Sequence, residues 1–258
     1  MSEEAKTYNP ETYWSEVGKR IQQRGDGNVV AGDDTPYYRY KRERFLEMLN
    51  SVNFRDKKVM EIGHGPGGNL AEVLKHNPSQ LTGVDISDTM ISLAKENLGT
   101  DKIEFYKTDG MTIGYPDQSQ EVVFSATVLQ HNSDEEMMKA MFREMLRVSS
   151  DQVIIFERIE KQLKGDDLCV GRPSSYYAAV AESEGFKLKE ATFINIQASY
   201  LVCGAIRKLF NPGSRKEGEK LNGFSVFMQK ATLPITKVLD KVFTAKRDLG
   251  KLVFERTS

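Results

Sequence analysis

The sequence predicts an α/β fold built on a doubly wound, mostly parallel sheet. From residue 57 onward, apolar runs of strand length alternate with segments of helical periodicity, the order that lays helices on both faces of a parallel sheet. The first run, Val59-Met60-Glu61-Ile62, passes directly into a turn dense in glycine, Gly63-His64-Gly65-Pro66-Gly67-Gly68, and a helix follows at once. A second run, Leu81 to Asp85, ends in an acid about 20 residues downstream, the spacing of nucleotide-binding units.

Taken in order, residues 1–50 precede the first strand and are expected to form an N-terminal lid and helices. Glycines and aspartates at 25–34 predict a loop, and the stretch after Pro36, Tyr37 to Leu49, reads as a helix leading into the core. Strands are expected at 57–63, 80–85, 103–108, 121–126 and 152–158, with helices at 67–76, 88–98 and 134–149. Asn132-Ser133-Asp134 ahead of Glu135 and Glu136 supplies the last of these helices with a cap and first-turn acids. Its methionines, Met137, Met138, Met141 and Met145, fall at helical spacing and read as core filling. Past residue 160, a helix from Ser174 is stopped by Gly185 before another strand, and Leu249 to Glu255 reads as the final strand.

The glycine turn brings backbone close to a ligand, because residues without Cβ admit a cofactor where any side chain would collide. Gly63-x-Gly65-x-x-Gly68 also satisfies the dinucleotide fingerprint, and Asp85 suits ribose hydroxyls in either reading. Two residues discriminate: Glu61, an acid beside the turn that would repel phosphate, and Pro66, which removes an N–H where a pyrophosphate would seek one.

On these residues the chain resembles the class I S-adenosylmethionine-dependent methyltransferases, of the type that acts on small molecules. Glu61-Ile-Gly63-His64-Gly65-Pro-Gly67 matches the family's first cofactor motif, and Asp85 the acid that grips both ribose hydroxyls. Ile86 and Met90 match apolar positions that pack on adenine, and Asp109-Gly110-Met111 the acidic motif that reads the adenine amino group. The segment from Glu121 to His131, with Thr127 and Val128, matches the fourth strand and the stretch beneath the methionine half of the cofactor. The resemblance covers roughly 55–160. It implies a Rossmann-like, seven-stranded sheet whose last strand runs antiparallel. It also implies a division into an N-terminal lid and helices (1–50), a cofactor-binding core (51–196), a helical basic insertion (197–247) and a final core strand (248–258).

Composition agrees with a soluble enzyme. A chain of 258 residues buries a sizeable core as one domain with an insertion, and a net charge of -1 gives no overall bias toward nucleic acid. Cys169 and Cys203 form neither a metal spacing nor a disulfide framework, so no metal is expected. The N-terminus lacks the apolar core of a secretory signal, and a cytoplasmic location is the expectation.

Within the insertion, Tyr200 to Phe210 and Phe224 to Phe243 are amphipathic, and Pro234 is expected to break or kink the second segment. The span 205–248 carries ten Lys and Arg against four Asp and Glu. A substrate lid, an interfacial membrane helix at 197–243, a platform for a phosphate-rich substrate and plain packing on the sheet edge all fit that pattern.

Methyl transfer asks a protein chiefly for alignment and exclusion of water, with a base where the acceptor is a hydroxyl or protonated amine. His131, just past the fourth strand at the carboxyl edge of the sheet, is the candidate base. His64 is expected to meet the cofactor through its backbone, and His76 to be a solvated helix end. Glu157 and Arg158 are expected to face the acceptor side or to form a surface ion pair. The expected activity is methylation of an oxygen or nitrogen of a small or medium-sized metabolite, such as a sugar or glycan intermediate or an amphiphilic isoprenoid-like acceptor. The rival readings are an NAD(P)-dependent oxidoreductase, against which Glu61 and Asp109-Gly110 speak, and a non-catalytic S-adenosylmethionine-binding module.

Overall fold

The computed structural model describes residues 9–24, 35–211, 213, 220–244 and 248–257. Two helices, α1 (Pro10–Arg24) and α2 (Pro36–Leu49), precede a core that opens with β1 (Lys58–Ile62), α3 (Gly68–Leu74), β2 (Gln80–Asp85), α4 (Asp88–Leu98) and β3 (Ile103–Lys107). There follow β4 (Gln120–Ala126), a 3-10 turn (Leu129–His131), α5 (Glu135–Val148) and β5 (Ser149–Ile159). A hairpin of β6 (Lys164–Asp166) and β7 (Cys169–Gly171), which the sequence did not announce, leads to α6 (Ser174–Ser183) and β8 (Phe186–Phe193). The chain closes with α7 (Gln197–Phe210), α8 (Gly223–Asp240) and β9 (Asp248–Arg256).

The seven-stranded sheet has the order β3-β2-β1-β4-β5-β9-β8. Strands β3 to β5 pair in parallel, whereas β9 runs antiparallel to both β5 and β8, so β9 alone is reversed. This is the expected mostly parallel sheet with one reversed strand. The order turns outward between β1 and β4, and the crevice at their carboxyl ends is where such sheets bind ligands.

Strands buried on both faces carry continuous apolar runs: Val59, Met60 and Ile62 in β1, and Val153 to Phe156 in β5, are all buried. One face packs α2 and α3 through Phe45, Leu49 and Leu70, and the other packs α5 and α6 through Met138, Phe142, Met145 and Tyr177. Asp134 caps α5 by accepting the N–H groups of Glu136 (2.9 Å) and Met137 (3.1 Å), and Ser87 caps α4 at the Met90 N–H. Gly185, at φ +78, takes the left-handed conformation that ends α6 before β8.

Helix α1 lies over the carboxyl edge of the sheet because α4 holds it there. Val17 and Ile21 pack on Met90 and Leu93, Ser15 Oγ lies 2.9 Å from Ser87 Oγ, and Lys107 joins Glu11 and Asp88. The loop expected at 25–34 falls outside the described residues.

The insertion answers one expectation, the break or kink at Pro234, in part. Pro234 does not break α8, which runs continuously from Gly223 to Asp240. The missing donor would have bonded the carbonyl of Lys230, and both Lys230 and Pro234 lie on the exposed face, where water can satisfy that carbonyl. The helix is also turned inside out. Ser225, Gln229, Leu233, Thr236 and Asp240 are its buried residues, while Phe224, Phe227, Ile235 and Val238 are exposed.

Candidate active site

A cleft of about 1060 Å³, open mouth included, lies at the carboxyl ends of β1, β2 and β4. Its floor is the glycine turn. Gly63 and Gly65 have φ +68 and +52, which favour glycine, and a Cβ on Gly63 would sit 2.4 Å from Val128 Cγ2. A Cβ on Gly65 would meet nothing within 4 Å, so that face of the turn is an open cradle.

Most N–H groups of the turn are already engaged. Gly63 donates to the Val84 carbonyl (2.7 Å), Gly65 to Asp85 Oδ2 (3.0 Å) and Gly67 to the His64 carbonyl (3.1 Å). Pro66 has none to give. A pyrophosphate needs such donors, so this turn is poorly built for a dinucleotide. Asp85 lines the cleft and, among the described residues, accepts from Gly65 and Ser87 (2.9 Å), which leaves lone pairs on both oxygens for a pair of hydroxyls. Ile86, Met90 and Gly110 supply an apolar flank beside it, and Pro10 and Trp14 of α1 close the cleft opposite the strand ends.

The wall past β4 is a loop with a strained backbone, held by many hydrogen bonds. Thr127 sits at φ +57, fixed by its N–H to the Phe156 carbonyl (2.8 Å) and its hydroxyl to the Ala126 carbonyl (2.7 Å). Beneath it the fully buried Glu157 accepts the N–H groups of Val128 (3.0 Å), Leu129 (3.0 Å) and Gln130 (2.9 Å). From the other side the fully buried Arg172 donates to the carbonyls of Leu129 (3.0 Å) and Asn132 (2.7 Å), and pairs with Glu135 (2.6 Å). An anion under the N–H groups and a cation on the carbonyls clamp a turn too short to stabilise itself.

Residues 59–152 match the family model described as "Methyltransferase domain". Over that stretch the chain carries a methyltransferase domain, and its sheet order is that of the class I S-adenosylmethionine-dependent fold. The wheat (Triticum aestivum) phosphoethanolamine N-methyltransferase is 27% identical over 51% of this chain and 25% of its own length. The ajmaline N-methyltransferase of Rauvolfia serpentina is 26% identical over 46% of this chain and 42% of its own. The chain thus matches well under two thirds of these relatives. Among solved structures, the magnesium protoporphyrin IX methyltransferase of Synechocystis PCC 6803 with bound SAH superposes with TM-score 0.61 at 14% identity, covering 96% of this chain and 98% of that one. The [4+2]-cyclase SpnF superposes with TM-score 0.65 at 14% identity, covering 95% and 94%. At that identity the likeness is one of fold.

The methyltransferase cleft fits the family's cofactor on its own chemistry. Glu61 Oε2 and His64 Nε2 are buried polar atoms without partners among the described residues, an unusual cost at the base of a cleft unless a ligand or water answers them. Asp85 would hold the ribose hydroxyls, Ile86 and Met90 the adenine, and the glycine turn and Thr127-Val128 the methionine half.

Of the residues singled out in the sequence, the domain brings Gly63, His64, Gly65, Asp85, Ile86, Met90, Gly110, Thr127, Val128 and His131 to one cleft. Three others lie elsewhere. Glu61 is fully buried behind the turn, where its Oε1 accepts from Asn69 Nδ2 (2.7 Å), and Asn69 in turn accepts from Arg42. Burial pushes the Glu61 carboxyl up to about 8, with the Asn69 hydrogen bond and Arg42 opposing. Through Oε1 it braces the turn from behind, while Oε2 stays without a partner among the described residues, and the engaged N–H groups of the turn disfavour a dinucleotide. Asp109 is exposed and folds back on its own turn, accepting from the N–H groups of Met111 (2.8 Å) and Thr112 (2.7 Å). Met111 is also exposed, 43%, and the cleft is lined by their neighbours Thr108 and Gly110 instead.

Of the two readings for this pair, acceptor side or surface ion pair, Arg158 meets the second and Glu157 neither. Glu157 is the anion of the clamp and has no free oxygen facing an acceptor, and burial pushes its carboxyl up to about 7 against the pull of its backbone donors. Arg158 pairs with Glu160 (2.9 Å). His64 contributes its ring to the core of the turn: Nδ1 lies 2.7 Å from the Gly65 carbonyl, the ring edge packs on Phe105, and burial pushes its pKa down. His76 bonds Asn50 (2.8 Å). Met137 and Met141 reach the cleft wall while Met138 and Met145 fill the core.

His131 stands at the cleft rim with its tautomer defined by its neighbours. Its Nδ1 lies 2.7 Å from the Leu168 carbonyl, which only accepts, so Nδ1 carries the proton. The Arg158 N–H donates to Gln130 Oε1 (2.8 Å), which turns the Gln130 amide nitrogen toward His131 Nε2 at 3.2 Å. His131 Nε2 therefore presents a lone pair, and the ring edge meets Trp14 at 5.1 Å between centroids. Arg172 was missed from sequence because it is contributed by an element distant in the chain, and Asn69, in the helix just past the turn, because its role depends on Glu61 and Arg42 as partners.

Proposed function

We propose that the protein transfers a methyl group from S-adenosylmethionine to an oxygen or nitrogen of a small or medium-sized acceptor. The observation that carries this reading is the single cleft in which the open glycine cradle and the two-hydroxyl acceptor Asp85 face Trp14 and the neutral imidazole of His131. When bound, the cofactor supplies an electrophilic methyl group on a sulfonium and leaves as a neutral thioether.

The chain's own residues then have three tasks. Asp85 and the turn fix one partner, and the clamped loop at 127–131 fixes the wall against which the other must lie. Trp14 and Met137 present apolar surface that excludes water from the reaction line. His131 Nε2 accepts the acceptor's proton as the new bond forms, displacing the Gln130 amide that now faces it.

The relatives named above methylate phosphoethanolamine and an alkaloid by their names, and sterol 24-C-methyltransferase of Gibberella zeae is 27% identical over 44% of this chain. These are small-molecule acceptors, and the amphiphilic ones suit the apolar rim of this cleft. The test is acceptor screening with methyl-labelled S-adenosylmethionine. Label should pass to an organic metabolite with stoichiometric S-adenosylhomocysteine. Cofactor binding without turnover across polar and amphiphilic acceptors would instead favour a binding module.

A further inference from the structure

The inverted helix α8 carries an inference independent of the methyl acceptor. Its buried side is polar and satisfied by the protein. Asp240 accepts the N–H groups of Ala198 (2.7 Å) and Ser199 (3.1 Å), Ser199 Oγ donates to Asp240 Oδ2 (2.5 Å), and Gln229 Oε1 accepts the Tyr37 N–H (3.3 Å). These bonds determine which side of α8 faces inward, so the outward display of its apolar stripe is built in.

That stripe runs the length of the helix. Phe227, Ile235, Val238 and Val242 are 62%, 66%, 61% and 70% exposed. At 18 residues the helix extends for about 27 Å. The aromatic edge contact of Phe210 with Phe224, 4.9 Å between centroids, joins the stripe to α7, where Leu201 and Leu209 are also exposed. Such a contiguous apolar face on a soluble fold marks a place where something else docks.

Charge selects the occupant. Helical spacing places Lys230, Lys237 and Lys241 along one edge of the stripe; Lys237 pairs with Glu43 (3.4 Å), while Lys230 and Lys241, with Lys208 of α7, are exposed. Among the described residues of α7 and α8 the only acid is Asp240, which is buried beneath α7. Two copies docked face to face would set lysine edge against lysine edge, with Lys230 and Lys241 answered by no carboxylate of α7 or α8. An anionic bilayer answers both features, accepting apolar side chains at the acyl boundary and ammonium groups at the headgroups. No helix among the described residues is long and apolar enough to cross a membrane, so the hairpin would lie in the interface plane.

We propose that the α7–α8 hairpin is an interfacial element that binds this chain to anionic lipid surfaces. The test is co-sedimentation of the full chain with vesicles of phosphatidylcholine alone and of phosphatidylcholine mixed equally with phosphatidylglycerol. Light scattering without lipid, thermal unfolding and circular dichroism accompany it. Pelleting is expected with the mixed vesicles and should fall as salt rises. Phe227→Gln with Val238→Gln should weaken it roughly tenfold or more, and Lys230→Glu with Lys241→Glu should remove the preference for anionic lipid. Leu163→Gln, on an exposed apolar residue outside the patch, should leave it unchanged. All variants alter exposed side chains and should keep the wild-type unfolding midpoint. Absence of pelleting, equal pelleting on phosphatidylcholine alone, or a dimer that Phe227→Gln with Val238→Gln dissolves in place of lipid binding would overturn the proposal.

Discussion

Gly63→Ala tests whether the glycine turn and the loop past β4 are a single unit. At φ +68 an alanine carries left-handed backbone strain of about 1–2 kcal/mol. Its Cβ would also sit 2.4 Å from Val128 Cγ2 and 3.1 Å from Cγ1, an overpacking of about 1–3 kcal/mol because Glu157 and Arg172 prevent the loop from yielding. The total, about 2–5 kcal/mol, is a large share of the roughly 5–15 kcal/mol that holds a domain together. Val128→Ala removes both clashing methyl groups. In that background Gly63→Ala should cost only the backbone strain, so the double-mutant cycle should show a coupling of about 1–3 kcal/mol. Urea unfolding followed by Trp14 fluorescence gives all four stabilities. Equal costs of Gly63→Ala in the two backgrounds would refute the contact, and with it the view that the turn is shaped against the loop.

Three further outcomes follow from the same geometry. Asp85→Ala should lower S-adenosylmethionine affinity about 10–100-fold by calorimetry, since it removes a charged acceptor and releases the Gly65 N–H. His131→Ala should lower turnover of the acceptor about 10²–10⁴-fold and leave cofactor affinity nearly intact, with loss of the acidic limb of the pH–rate profile; full activity across pH would rule out its role as base. Burial raises Glu61 to about 8 and Glu157 to about 7, so the folded protein retains protons that the unfolded chain releases near pH 4.5. Stability from this source is full below about pH 4.5 and falls as pH rises toward about 8. Melting temperatures across that window should therefore decline less for Glu61→Gln than for the wild type, and a steeper decline would contradict the assignment.

The parts legible in the sequence are those written within one element and its adjoining turn. The strand, glycine turn and helix at 58–74 occupy consecutive residues, and the acid closing β2 follows from the repeat of the unit, so periodicity and glycine sufficed. Gly185 and Asp134 act on their own helices and were equally readable. What could not be read depends on partners far along the chain. Arg172 lies 43 residues from Leu129, and only the hairpin at 164–171 brings it there. Glu61 and Asp109 have the residue type of ligand groups, yet Asn69 and the turn at 109–112 engage them first. The amphipathicity of α8 was visible, but which side faces the protein was fixed by Asp240, Ser199 and Tyr37, contacts across 41 and 192 residues.

Calorimetric titration of the full chain with S-adenosylmethionine and S-adenosylhomocysteine, with NAD(H) and NADP(H) run in parallel, tests the central claim most directly. The account predicts one saturable site per chain for both S-adenosyl compounds, abolished or strongly weakened by Asp85→Ala, and no binding of either dinucleotide. Saturable binding of NAD(H) or NADP(H) with none of S-adenosylmethionine would contradict it.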